Sequence, residues 1–148
     1  MKTKILKLAA FALLLAGTML ACGNETDDSI KLQGTTWKLV GFADVETGTL
    51  RKAVPEDCLP CYTITFITDT TFTGKASSNL IHGHYKIDYE MSHMQIICGT
   101  MTEVVPYFDE ELFVETMNLV QSFALQEDEM RLYYNDRKNY LLFKLKTT

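Results

Sequence analysis

Leu80-Ile81-His82-Gly83-His84-Tyr85-Lys86-Ile87-Asp88-Tyr89-Glu90-Met91-Ser92-His93-Met94-Gln95-Ile96-Ile97-Cys98 is the stretch whose reading decides the fold. Residues 80–89 and 93–98 are two alternating segments joined by a short polar turn, the pattern of a β-hairpin. Tyr85, Ile87 and Tyr89 share one parity, Met94 and Ile96 the other. Side chains alternate across a strand, so these two sets meet on one face only if paired positions sum to an odd number, such as Asp88 opposite His93. That register turns His82, His84, Lys86, Asp88, His93 and Gln95 together onto the opposite, polar face.

The same grammar extends in both directions. Residues 36–42 read as a strand with Trp37, Leu39 and, through Gly41, the odd positions facing one way. Residues 47–60 read as a loop punctuated by Gly48, Pro55 and Pro60. Tyr62, Ile64 and Phe66 alternate with threonines, and residues 71–76 return after an Asp69-Thr70 turn with Phe72 inward. Bringing Phe66 and Phe72 to one face requires an odd loop of roughly three residues. Downstream, Asp109-Glu110-Glu111 reads as an N-cap and acidic first turn, suited to the positive end of a helix dipole. Leu112, Phe113, Thr116, Met117 and Val120 then supply the buried stripe of a helix over residues 109–121. Residues 123–126, 130–134 and 140–146 finish the chain as three strands. No repeat of 20 to 50 residues and no low-complexity segment interrupts the order. The expected fold is mainly β (α+β): an antiparallel meander curled into a small, partly open barrel around or against one helix.

Ahead of this domain stands a different kind of segment. Three lysines among residues 1–7, an apolar run and then Met19-Leu20-Ala21-Cys22 form a charged n-region, an h-region and a small residue before a cut. The apolar stretch of residues 8–21 is shorter than the roughly 20 residues a helix needs to cross a bilayer, so it reads as a removed signal. A cysteine directly after the small residue resembles the lipobox of bacterial lipoproteins, in which that cysteine is acylated, with Met19 where the pattern prefers Leu. The expected divisions are a signal peptide at 1–21, an acidic flexible tether at 22–31 and a β domain at 32–148. Cleavage removes three of 14 basic residues and leaves 11 against 19 acidic ones, a net charge of 11 − 19 = −8. That balance argues against nucleic acid and against electrostatic docking on anionic headgroups. Membrane attachment is therefore expected through lipid on Cys22, palmitate included. The acidic run after Cys22 also resembles the export signal of surface-exposed Gram-negative lipoproteins. The expected location is the outer membrane, on its periplasmic side or the cell surface.

Few residues have the character of a reactive site. His82, His84 and His93 are weak metal candidates, since residues i and i+2 on a strand face the same way and His93 lies across the hairpin. Cys58-Leu59-Pro60-Cys61 has redox spacing, but it sits in a Pro-containing loop leading into a strand, without the helix start that activates such thiols. A structural disulfide is expected instead. With Cys22 acylated, Cys58, Cys61 and Cys98 make an odd set that leaves one thiol or makes a dimer. The preferred pairing joins Cys98 to Cys61 or Cys58, because Cys61 begins a strand and Cys98 ends another at the same end of the sheet; Cys58–Cys61 is the alternative. Asp109, Glu110 and Glu111 are explained by a helix start rather than by catalytic carboxylates. No GxSxG elbow, HExxH or phosphate-binding glycine loop is present.

The order of these pieces resembles the META-domain family, small envelope proteins typified by a heat-inducible lipoprotein. Gly34-Thr35-Thr36-Trp37-Lys38-Leu39 is similar to its opening GTxWxL, and Phe72-Thr73-Gly74-Lys75-Ala76-Ser77-Ser78-Asn79 to its F…GxxGCN. Gly83-His84-Tyr85, Gly99-Thr100-Met101 and Met130-Arg131-Leu132 resemble its GxY, TxM and LxL. Ser77-Ser78 replaces the family's Gly-Cys and Glu103 stands about where its second cysteine falls, so the family's usual disulfide is missing. The resemblance implies no enzymatic activity, no catalytic residues and no cofactor. Together with the lipobox, the acidic tether and the missing catalytic constellation, it leads to the expectation of a non-enzymatic, lipid-anchored envelope protein, a monomer, that binds a partner or supports the envelope under stress. The alternative is a lipocalin-like carrier of a small apolar ligand, although the lipocalin GxW is not matched: Gly34 is three residues from Trp37.

Overall fold

The computed structural model describes residues 31–147. The signal peptide, Cys22 and most of the tether lie outside the described residues. Nine strands and one helix follow in order: β1 Thr36–Asp44, β2 Leu50–Lys52, β3 Thr63–Phe66, β4 Thr71–Lys75, β5 Leu80–Asp88, β6 His93–Thr100, α1 Glu110–Met117, β7 Ser122–Leu125, β8 Glu129–Tyr134 and β9 Asn139–Leu145. All neighbouring strands are antiparallel. The sheet runs β2-β1-β3-β4-β5-β6-β7-β8-β9 and closes into a ring because β1 also pairs with β9. On its other edge β1 serves two partners, β3 opposite Thr36–Lys38 and the short β2 opposite Gly41–Ala43.

The hairpin register is the expected one: Asp88 pairs with His93, and Tyr85 with Ile96. Tyr85, Met94 and Ile96 are buried. Tyr89, expected inward, is 43% exposed, because β5 ends at Asp88 and the tyrosine reaches only the edge of Phe123, 5.7 Å between centroids. Phe66 pairs with Phe72 across a turn of three residues, 68–70, closed by Ile67 N–H to the Thr71 carbonyl at 2.9 Å. Behind Phe72 stands Gly83, where a Cβ would lie 2.5 Å from the ring and 2.1 Å from the Ile97 carbonyl oxygen. Only glycine leaves that ring room to lie against the wall.

Two local departures have clear causes. The register of β1 against β9 slips between Leu39 and Gly41, a bulge that leaves Val40 as the extra residue. Parity flips there, so Phe42 faces Leu141 in the core and Gly41 does not continue the inward row. The helix is also shorter than the expected span of 109–121. It ends at Met117, and Asn118 closes it with its backbone N–H on the Val114 and Glu115 carbonyls. Phe113, Thr116, Met117 and the following Val120 are buried, but Leu112 is exposed.

The interior is filled by large side chains from every wall, among them Trp37, Phe66, Phe72, Met94, Met130 and Phe143, with Phe113 and Met117 from α1. Phe113 meets Tyr62 edge-on at 5.4 Å and Phe143 at 6.3 Å, which ties the helix to both sides of the ring. Burying each such ring contributes about 1.5–3 kcal/mol. The ring is thin at one place only: β6 and β7 share a single paired position, His93 with Ser122. Along the rest of β6 the helix and its C-terminal turn stand where a neighbouring strand would be. Asn118 stands in for that strand, taking the Cys98 N–H on Oδ1 at 2.9 Å and donating from Nδ2 to the Cys98 carbonyl at 3.0 Å.

Candidate functional site

The polar face of the β5–β6 hairpin carries His82, His84, Lys86, Asp88, His93 and Gln95, all outward and exposed. It does not gather the histidines. His93 sits opposite Asp88, four residues from His84 along β5, or roughly 13 Å at the usual strand rise. Among the described residues no group of three His, Cys, Asp or Glu has metal-holding geometry. A cleft of about 410 Å³ opens on this flank where β6 parts from β7, lined by Asp88, His93, Met94 and Val120 among others. Its lining joins the buried Met94 and Val120 to the exposed Lys86 and Gln95, so it opens at the seam between the core and the outer face.

The cysteines pair differently from the preferred expectation. Cys58 is bonded to Cys61, the alternative pairing, and Cys98 is a buried free thiol. Sharing an end of the sheet was not enough. Between β3, which Cys61 precedes, and β6, which holds Cys98, lie β4 and β5. Three strand spacings are about 14 Å along the wall, against the Cα separation below about 7 Å that a disulfide requires. Burial pushes the Cys98 thiol up to about 12. The Cys58–Cys61 loop is held from beneath by Lys38, whose Nζ donates to the Cys58 carbonyl at 2.8 Å and to the Cys61 carbonyl. Burial, and then the charge of Lys146, lowers the Lys38 pKa from its ordinary value.

The densest polar arrangement joins the β4–β5 turn, the segment after β6 and the start of α1. Glu110, read from the sequence as a first-turn acid suited to the helix dipole, is 1% exposed. Its Oε2 accepts from Ser77 Oγ at 2.9 Å, Ser78 N–H at 2.6 Å and Asn79 N–H at 3.1 Å, and its Oε1 from Asn79 Nδ2. Asn79, also buried, accepts on Oδ1 from Thr102 Oγ1 at 2.6 Å and Val104 N–H at 2.9 Å. Burial alone would raise the Glu110 pKa, but the donors from Asn79, Ser78 and Ser77 outweigh it and hold the carboxyl below the usual carboxylate range. These bonds fasten the 77–79 stretch to the 102–104 stretch, the two places where the family resemblance expects a disulfide. Neither Cys58, Cys61 nor Cys98 takes that role. Asp109 is not a side-chain cap: its carboxylate bonds Arg51 at 2.9 Å and the Val54 N–H at 2.9 Å. Single-sequence reasoning missed Glu110 because an amphipathic pattern assigns every acid to the outside. The only signal available was Asn79 at the end of the GxxGCN-like motif.

Around this clasp the surface is apolar. Met101, Val104, Val105, Tyr107 and Phe108 are all more than half exposed. Phe108 has φ 56°, the left-handed region that a bulky residue rarely occupies. Leu59, at the tip of the disulfide loop, is 80% exposed on the adjoining β2–β3 connection. The two connections touch through Tyr62, whose hydroxyl accepts from Asp109 N–H at 3.1 Å and donates to the Val54 carbonyl at 2.5 Å. Strand direction alternates around the ring except that β2 and β3 both run antiparallel to β1, and the Tyr62 N–H on the Ala76 carbonyl brings the end of the β2–β3 connection beside the β4–β5 turn. The β2–β3, β4–β5 and β6–α1 connections share one end, while the described chain enters at the other, where Gly34 N–H bonds the Phe66 carbonyl at 2.8 Å.

This chain is similar to known proteins in sequence and in fold. The profile of the family described as META domain matches residues 30–147. A protein of Tannerella forsythia described as "Putative lipoprotein" is 29% identical over 145 residues, which cover 97% of each chain. The crystal structure of a DUF4847 family protein from Bacteroides vulgatus superposes with a TM-score of 0.63 at 18% identity, over 82% of this chain and 98% of that one, a likeness of fold.

Proposed function

The chain belongs to the META domain family, and on that premise we propose that it is a lipid-anchored cell-envelope protein that acts by binding a partner and not by catalysis. Met19-Leu20-Ala21-Cys22 supports the anchor, as does the relative in Tannerella forsythia described as a lipoprotein. In this reading residues 1–21 are removed, 22–31 are the tether and 32–148 are the folded module. The acidic run after Cys22 favours the outer membrane.

One observation carries the binding role: the exposed apolar rim stands at the end of the barrel opposite the one where the chain enters. Cys22 precedes Lys31 by nine residues, a reach of roughly 30 Å when extended. An acyl group there would hold the entry end toward the bilayer and present the rim away from it. The small-ligand alternative draws no comparable support, because aromatic and Met side chains occupy the interior that a carrier would keep open.

The anchor is tested by mass spectrometry of the N-terminal peptide from native membranes. A diacyl- or triacyl-cysteine at position 22 is the expected result, with Cys22→Ser moving the protein out of the membrane fraction. An unmodified Cys22, or cleavage elsewhere, overturns it.

A further inference from the structure

We infer that the rim formed by residues 101–108 is the docking surface for a basic, apolar segment of a protein partner. The inference rests on the partner-binding reading above and adds the partner's chemistry. Five of the eight residues in this connection are large, apolar and more than half exposed, a concentration that isolated soluble domains seldom carry without use. Tyr107, Phe108 and Met101 are the residue types that anchor protein interfaces.

Phe108 makes the case sharper. Its left-handed backbone costs energy that a Cβ-bearing residue must recover elsewhere, yet the residue is 69% exposed and recovers little by burial in the free chain. The strain is fixed by its surroundings: Tyr107 is held through its carbonyl by Ser77 Oγ at 2.6 Å, and Asp109 through its N–H by Tyr62. The ring between them is displayed, not packed.

The charges beside it select the partner. Glu103 lies inside the rim, Glu111 just beyond it and Asp57 on the adjoining loop; among the described residues none of the three is in an ion pair. Uncompensated acids around an apolar patch attract a segment that is both basic and apolar. They disfavour a second copy of this chain, which would bring acid against acid at a net charge of about −8 after processing. They disfavour an anionic leaflet for the same reason, and the rim stands at the end away from the chain's entry.

The test uses the full-length lipidated protein in nanodiscs and three probes: a synthetic peptide alternating Lys with Leu and Phe, its Glu-for-Lys counterpart, and vesicles of phosphatidylethanolamine and phosphatidylglycerol. The expected result is binding of the Lys peptide at least tenfold tighter than the Glu peptide. That binding weakens several-fold in Glu103→Gln/Glu111→Gln and falls at least tenfold in Phe108→Gly. Phe108→Gly also separates docking from folding, since glycine accepts the left-handed backbone: Tm holds or rises while binding is lost. Equal affinity for both peptides, unchanged binding by Phe108→Gly, vesicle recruitment through the rim, or rim-dependent self-association overturns the proposal. A fall in Tm for Phe108→Gly overturns it too, by showing the ring is packed in the free chain. The acyl mass at Cys22 is read on the same preparation, so a failed anchor and a failed docking chemistry give different results.

Discussion

The two flanks of β6 are built by different means. Toward β5 it forms an eight-position ladder from Ile81–Thr100 to Asp88–His93, and toward β7 it has one paired position. On the first flank backbone pairing does the work, and the outward side chains are free to be almost anything polar. On the second flank the ring is closed by a helix whose two ends are fastened by side chains, Glu110 at the start and Asn118 at the finish. A ladder spreads its stability over many equivalent bonds. A side-chain closure concentrates it in a few groups, each of which leaves buried partners stranded when removed. The apolar rim grows from the second flank, so the candidate binding surface depends on those few groups.

The largest effect should therefore come from Glu110→Ala. Removing the carboxylate strands the N–H groups of Ser78 and Asn79 and the Asn79 amide. A loss of about 3 kcal/mol or more is expected in urea unfolding, against less than about 0.5 kcal/mol for Lys86→Ala on the exposed face of the ladder. Acid gives a second reading of the same group. The folded pKa of Glu110 is below its ordinary 4.5, so the unfolded chain takes up the proton first. Its contribution is complete above 4.5 and is lost as pH falls through the folded value. Wild type should weaken over that window more steeply than Glu110→Gln, which has no proton to bind there. Parallel pH profiles would mean that the carboxylate is not held as the geometry states.

A smaller effect is expected at the other end of the helix. Asn118→Ala frees both the N–H and the carbonyl of Cys98 on a strand edge that β7 does not reach, and the loss should be about 2 kcal/mol. Hydrogen exchange locates it: the Cys98 amide should exchange faster in the variant, while amides paired to β5 keep their protection. Uniform acceleration on both flanks would mean that Asn118 is not the local clamp.

The same contrast explains what could be read from the sequence. Tyr85 and Ile87 against Met94 and Ile96 determine a register by parity alone, and Phe66 with Phe72 determine a turn length, because a hairpin is a local object. The bulge at Val40 leaves no mark in a run such as Leu39-Val40-Gly41-Phe42, where every residue could face the core. The strand at Leu50-Arg51-Lys52 is exposed throughout and has no alternation to detect. Alternation puts Cys98 at the correct end of the sheet, but pattern gives the end of a strand and not the distance around a ring. Glu110 was invisible for a deeper reason: its partners lie 31 to 33 residues earlier, and nothing about a glutamate in a first turn announces that the neighbouring turn needs an anion.

Asp109 gives the smallest effect and the finest test of the distinction. Beside an acid that fastens the helix from inside, it was the natural N-cap, yet it makes no side-chain cap bond and reaches instead to Arg51 and the Val54 N–H on the β2–β3 connection. Asn is as good a cap as Asp, so a capping role predicts that Asp109→Asn leaves stability unchanged. The observed geometry predicts a loss of about 0.5–1 kcal/mol, limited by the half-exposed Arg51 partner, because the charge is what the guanidinium reads. A double-mutant cycle with Arg51→Ala separates the two: coupling of a few tenths of a kcal/mol or more supports the cross-loop contact, and strict additivity removes it. In that case the disulfide loop and the start of α1 would be held together by the Tyr62 hydroxyl and the Val54 N–H, and the apolar rim would tolerate loss of the Arg51 charge without change in its binding.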